Sequence, residues 1–186
     1  MNAKEIVKTF ITALQSGAIA MAARYMTDDF KLIGWTPEPL DRGKFLALQT
    51  QMDTGMPDFS YNLTDLHARG SVVTGLIQLA ATHTRDLAFP QFGIPTILTT
   101  GQVIGLPQVP AEFALRDGKV AEMKMQTVPG GGMEGLLQQL DEHLSIPPRI
   151  EDINQPGNTE ESREREVRAR APAYGPAAFP VNEFPE

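Results

Sequence analysis

The apolar residues of this chain change period part-way along, and that change restricts the folds open to it. Before "DTGMPD" (Asp53 to Asp58) they fall mostly at helical spacing, and after it they mostly alternate. Asn2 is placed to cap a helix in which Ile6, Phe10, Ile11 and Leu14 share one face, and Gly17 ends it. A second, alanine-rich helix is expected over about Ala18 to Met26. "DDFKLIGW" reads as a strand from Phe30 to Trp35, closed by Pro37 and Pro39. Asp41 is a cap for a third helix, "RGKFLALQTQM", with Phe45, Leu46 and Leu48 on its apolar side.

Beyond the break the signals are those of strands. "FSYNLTDLH" alternates, "ARGS" reads as a hairpin turn, and Ser71 to Leu87 reads as one long strand rich in β-branched residues. Phe89 to Leu106, with Pro90, Pro95 and three glycines, reads as a long loop or an irregular hairpin. "PAEFALRDGKVAEMKMQT" is the clearest hairpin, because Asp117-Gly118 is a favoured two-residue turn. After it Ala121, Met123 and Met125 alternate with Glu122, Lys124 and Gln126, so one face is expected to be buried. "PGGG" precedes a last helix, Met133 to Leu144. Helices gathered ahead of an antiparallel run imply an α+β fold, three or four helices covering one face of a curved sheet. Such a sheet leaves a concavity, which is where ligands usually bind.

The 186 residues suggest one domain and an appended tail, divided here at 1–144 and 145–186. Within the tail, "IPPRIEDINQPGN" has the composition of a linker. "TEESREREVRAR" carries Glu161/Arg165, Glu164/Arg168 and Glu166/Arg170 pairs that favour a solvated helix. "APAYGPAAFPVNEFPE" sets Tyr174, Phe179 and Phe184 among prolines, which suits docking on the chain's own domain or on a neighbouring subunit.

A formal net charge of -7 disfavours broad nucleic-acid binding. The chain has no cysteine, so it has no disulfide, thiolate nucleophile or cysteine-based metal site. Nothing approaches a membrane span, and Lys4, Glu5 and Lys8 interrupt the apolar residues near the start. A cytoplasmic protein without a membrane partner is the expectation.

Taken in order, several stretches resemble the nuclear-transport-factor-2-like superfamily, and within it the SnoaL-like polyketide cyclases and ester cyclases. "IVKTFITALQSG" with "ARYMTDDF" resembles the opening helices and first strand. "MPDFSYNLTDLHARGSVV" resembles the family's Pro-Asp and hairpin, and "ATHTRD" its Gly-Thr-His-Thr-Gly. "FALRDGKVAEMKMQ" resembles its Asp-Gly-Lys-Ile hairpin, and "GLLQQL" its closing helix. The resemblance implies a cone-like α+β barrel with a deep apolar pocket, often a homodimer through the sheet. It does not fix the activity, since one fold hosts many functions.

Two departures stand out. The cyclases carry a tryptophan and then an aspartate general acid between the last strand and the last helix. Here Met125 stands at the tryptophan's place, and no Asp or Glu lies from Met125 to Met133. The ketosteroid isomerases place a base near the first strand, where this chain reads "LIGWTPEP" without an aspartate. "ATHTRD" itself has Ala81 and Arg85 where the family has glycines.

His83 is the leading candidate for proton transfer, since an imidazole changes charge near neutral pH. A histidine near a strand end is equally at home as a structural residue. Asp86 and Asp58 are candidate partners. Asp86 also suits an exposed pairing with Arg85, and Asp58 suits the entry to a strand. Trp35, Tyr25, Tyr61, Phe89, Phe113, Met123 and Met125 are candidate pocket walls, residue types that also fill ordinary cores. His67, His83 and His143 lie in separate elements without metal-ligand spacing, so no metal is expected, and nothing calls for a cofactor. The expectation is an enzyme acting on a hydrophobic, carbonyl-containing small molecule, by cyclisation or isomerisation. The alternative is a ligand-binding or assembly module that kept the cone and lost the acid.

Overall fold

A computed structural model describes residues 1–141. The tail helix, the aromatic–proline segment, His143 and the last three residues expected in the final helix lie outside the described residues.

Helix α1 (Ala3–Gln15) starts on a complete capping box. The Asn2 side chain accepts from the Glu5 amide at 3.0 Å, and the Glu5 carboxylate accepts from the Asn2 amide at 2.9 Å. Its buried side carries Ile6, Val7, Phe10, Ile11, Ala13 and Leu14. Helix α2 (Ile19–Arg24) is a short turn after Gly17. Strand β1 (Met26–Ile33) begins earlier than the apolar pattern suggests, because Met26 and Thr27 are buried against the core. The two-residue β2 (Leu40–Asp41) follows. Asp41 then caps α3 (Arg42–Gly55) by accepting from the Lys44 amide at 2.9 Å.

The remaining strands are β3 (Thr64–Arg69), β4 (Val72–Ile77), β5 (Ala80–Thr82), β6 (Leu87–Phe89), β7 (Ile94–Ile97), β8 (Val103–Gly105), β9 (Val109–Arg116) and β10 (Lys119–Met125). Helix α4 (Gly132–Asp141) closes the described part. The main sheet has the order β2-β1-β10-β9-β4-β3. Every pairing in it is antiparallel except β1 with β10, which run parallel from Met26↔Val120 to Ile33↔Lys124. Asp117 and Gly118 both have positive φ, 53° and 73°, as the turn between β9 and β10 requires. An irregularity between Val120 and Glu122 shifts the alternation by one, so Val120 rather than Ala121 is buried alongside Met123 and Met125.

The long strand expected from Ser71 to Leu87 is broken. β4 pairs with β9 as far as Ile77↔Val109, and the chain then kinks at Gln78–Leu79. It continues as β5, paired with β8 from Ala80↔Gly105 to Thr82↔Val103. The kink bends the sheet around its concave side, and the helices cover that side, giving the cone. Phe10, Phe30 and Phe45 form one aromatic cluster with ring centroids 5.3–6.4 Å apart, locking α1 and α3 to β1. The stretch expected to be a loop or irregular hairpin, Phe89 to Leu106, is the latter: β6 pairs with β7 across a 3-10 turn at Pro90–Phe92. No helix among the described residues is long and apolar enough to cross a membrane.

Candidate functional site

His83 directly follows β5, and its side chain is fully buried. Alternation along β5 turns Ala81 and His83 to the same inner side. The backbone of His83 is held at both ends, its amide donating to the Gln102 carbonyl and its carbonyl accepting from the Gly101 amide, each at 2.8 Å. Nδ1 lies 2.9 Å from the Thr100 hydroxyl, and the buried Nε2 has no partner among the described residues. Burial pushes the imidazole below its usual pKa, against the opposing influence of the Asp86 charge, and so favours the neutral ring.

Neither candidate aspartate bonds to that ring. Both grip threonines beside it. Asp58 accepts from the Thr82 amide at 2.7 Å and the Thr82 hydroxyl at 2.6 Å. Asp86 accepts from the Thr99 amide at 2.9 Å and the Thr99 hydroxyl at 3.0 Å. These bonds hold both carboxyls below the usual range, through the Thr82 hydroxyl above all for Asp58 and the Thr99 amide for Asp86. The two aspartates thus pin the residues next to His83 and next to its partner Thr100. The loop after His83 is seated on the end of α3, where the amides of Thr84 and Arg85 both donate to the Gly55 carbonyl. Gly55 permits the close approach, since a Cβ there would lie 2.7 Å from Leu87 Cδ1.

Inside the cone, three small cavities meet around Trp35 and Leu79, which border all of them. Each has a volume of about 10 Å³, roughly the room one water needs. Among the described residues, side chains fill most of the space around Trp35 and Leu79. The largest share of one cavity's wall is aliphatic and aromatic, with Met52, Met123 and Met125 beside Phe45, Phe59 and Trp35. The cavity toward β5 is bordered by Met52, Met56, Ala81 and Leu136. Methionines re-pack readily, so this interior is deformable. Of the expected wall residues, Trp35, Tyr61, Met123 and Met125 border these cavities. Tyr25, Phe89 and Phe113 border none of the three. Phe113 is buried within the sheet between Val73 and Met123, Phe89 packs on Phe92, and Tyr25 lies only half-buried at the end of α2.

Tyr61 is joined there to two polar residues that sequence reasoning missed, Gln49 on the cavity wall and Asp53 behind it. The Tyr61 hydroxyl donates to Gln49 Oε1 at 2.6 Å, and Gln49 Nε2 donates to Asp53 Oδ1 at 2.9 Å. Burial raises the Asp53 carboxyl above its usual pKa and, with the Asp53 charge, raises the Tyr61 phenol. The Trp35 indole N–H is buried without a partner among the described residues. Gln49 and Asp53 stand four residues apart on α3, and that spacing was the one available signal. The Trp35 loop is in turn tied to the stretch leading into α4, where the Met133 amide donates to the Trp35 carbonyl at 2.9 Å. Among the described residues no three His, Cys, Asp or Glu side chains gather as metal ligands.

The model of the SnoaL-like domain matches residues 7–123. The chain belongs to the SnoaL-like family. No curated protein matches this SnoaL-like chain in sequence. Among solved structures, AclR from Streptomyces galilaeus, a proposed hydroxylase, superposes with a TM-score of 0.58 at 18% identity, over 75% of this chain and 96% of its own. IdmH from Streptomyces antibioticus, a proposed polyketide cyclase, gives 0.56 at 19%, over 73% and 99%. An LEH-like epoxide hydrolase of M. tuberculosis gives 0.54 at 17%, over 75% and 92%. At such identities the likeness is one of fold, and the differing activities attached to it leave the chemistry to the site itself.

Proposed function

We propose that the cone interior of this SnoaL-like protein receives a hydrophobic, carbonyl-containing small molecule and promotes its cyclisation or isomerisation by proton transfer. The observation that carries this reading is the Trp35 N–H, buried without a partner among the described residues, on the border of a methionine-walled interior. A buried donor without an acceptor is costly, and a ligand carbonyl would satisfy it. Re-packing of Trp35 and the methionines would join the three cavities into one.

His83 is the proton carrier in this reading. Its ring is buried, its neutral form is favoured, and its Nε2 has no partner among the described residues; His83 borders none of the three cavities itself but follows the cavity-lining Ala81 by two residues. As a base it takes a proton α to the carbonyl, leaving an enolate, and the imidazolium returns the proton at the new position. Asp58 and Asp86 act here as positioning residues through Thr82 and Thr99. A homodimer in the cytoplasm, with no nucleic-acid or membrane partner, completes the proposal, and the acidic net charge supports the exclusion of nucleic acid.

Two measurements test it. Trp35 is the chain's single tryptophan, so titration with an apolar aryl ketone should shift or quench its emission. Unchanged emission up to the solubility limit of the probe would remove the cone interior as the site. The chain should also accelerate exchange of the ketone's α-hydrogens in deuterium oxide, followed by NMR, and His83→Gln should abolish that acceleration. Binding without acceleration would favour the second reading, a non-catalytic binding module. That reading has its own support: among the described residues no carboxylate borders any of the three cavities, and Asp58 and Asp86 are committed to threonines.

A further inference from the structure

The Gln49 amide can be oriented without ambiguity. Its Nε2 faces the Asp53 carboxylate at 2.9 Å and, more distantly, the Leu14 carbonyl at 3.5 Å. A carboxylate and a carbonyl only accept hydrogen bonds, so the NH₂ end of the amide must point toward them. Its oxygen is thereby turned to the Tyr61 hydroxyl, 2.6 Å away. An amide oxygen also only accepts, so the single phenolic proton is given to Gln49. Tyr61 is left with lone pairs alone for anything that enters the cavity it shares with Gln49 and Trp35. The phenol is further fixed from its backbone, whose amide donates to Gln15 Oε1 at 2.9 Å.

The directions of these bonds form a relay from Asp53 through Gln49 to Tyr61. We propose that Asp53 is a positioning residue that fixes Tyr61 as a hydrogen-bond acceptor facing the cavity, so that the interior selects a ligand carrying a hydroxyl as well as a carbonyl. The hydroxyl donates to Tyr61, and the carbonyl accepts from the Trp35 indole. One wall therefore offers one donor and one acceptor on an otherwise apolar surface, the pattern that orients a ligand rather than merely holding it. Selection of the ligand rests on the cone interior being the binding site. The relay itself does not.

The test has two arms on the full chain. The first needs no ligand: the intensity ratio of the tyrosine Fermi doublet in ultraviolet resonance Raman spectra distinguishes a donating from an accepting phenol. The difference between the wild type and Tyr61→Phe isolates Tyr61 and should show a donor. The donor signature should weaken in Asp53→Leu and return in Asp53→Asn, whose amide oxygen still accepts from Gln49. An accepting Tyr61 in the wild type, or an unchanged donor in Asp53→Leu with native circular dichroism, overturns the relay. The second arm measures calorimetric affinities for a hydroxynaphthaldehyde, with its two groups on opposite rings, and for its methyl ether. The wild type should prefer the free hydroxyl by about tenfold, the worth of one hydrogen bond. Asp53→Leu and Tyr61→Phe should lose that preference, and Asp53→Asn should keep it. Equal affinities in the wild type overturn the selection. Failure of both probes to bind overturns the cone-interior reading and the selection with it, while the Raman arm still decides the relay.

Discussion

Asp58 holds Thr82 by two hydrogen bonds at once, 2.7 Å to its amide and 2.6 Å to its hydroxyl, and Thr82 is the residue before His83. The carboxylate therefore fixes both the backbone and the side chain at the end of β5. Asp58→Ala should destabilise the fold by about 1 kcal/mol, since the bonds are solvent-exposed. It should lower α-hydrogen exchange by more than that loss of folded protein explains. Denaturant melts and exchange rates on the same preparation separate the two effects.

The buried His83 links stability to pH. Burial depresses its folded pKa below the unfolded value of 6.5. Below that value the unfolded chain binds a proton that the native ring resists. Stability attributable to this group is thus complete above the unfolded pKa and is lost as pH falls toward the folded one. Melting temperatures measured from about pH 7.5 down to about pH 5 should fall more steeply for the wild type than for His83→Gln. Parallel profiles would mean that His83 titrates alike in both states.

Gly34 has φ 89°, and a Cβ there would lie 1.9 Å from the Met125 carbonyl oxygen. Backbone cannot yield as a flexible side chain would. Gly34→Ala should cost about 3 kcal/mol or more, combining left-handed strain with overpacking. Urea denaturation would read this as a lowered midpoint with little change in slope.

Trp35 separates three cavities, so its removal should unite them. Trp35→Ala should destabilise by about 3–5 kcal/mol and create a space that matches the lost ring. Added indole should then raise the melting temperature of Trp35→Ala in a concentration-dependent way while leaving the wild type unchanged. No rescue would indicate that the core collapses over the gap.

Local chemistry made part of this legible in the sequence. The caps at Asn2 and Asp41 and the Asp117-Gly118 turn need only their near neighbours, and each forms as its residues dictate. The kink at Gln78–Leu79 was not readable, because no glycine or proline stands there to mark it. What breaks the strand is a change of partner from β9 to β8, which is tertiary. The same holds for the Val120–Glu122 irregularity, which moved burial from Ala121 to Val120. At the site, the side-chain type marked His83 as a proton carrier, yet its nearest polar group is Thr100, seventeen residues on. Gln49 drew no notice on α3, since a buried glutamine announces itself only through the tyrosine and aspartate it joins.

The parallel pairing of β1 with β10 has a consequence for biosynthesis. β1 ends at Ile33, but its long neighbour is not made until the ribosome has passed Met125. Until then β1 has only the two residues of β2 on its other edge, and its buried Phe30 and Leu32 wait on a sheet that does not yet exist. The amino-terminal helices can form early, but the cone can close only near the end of translation. Nascent chains stalled before the Asp117-Gly118 turn should therefore be protease-sensitive and prone to chaperone capture, whereas chains released past α4 should resist digestion.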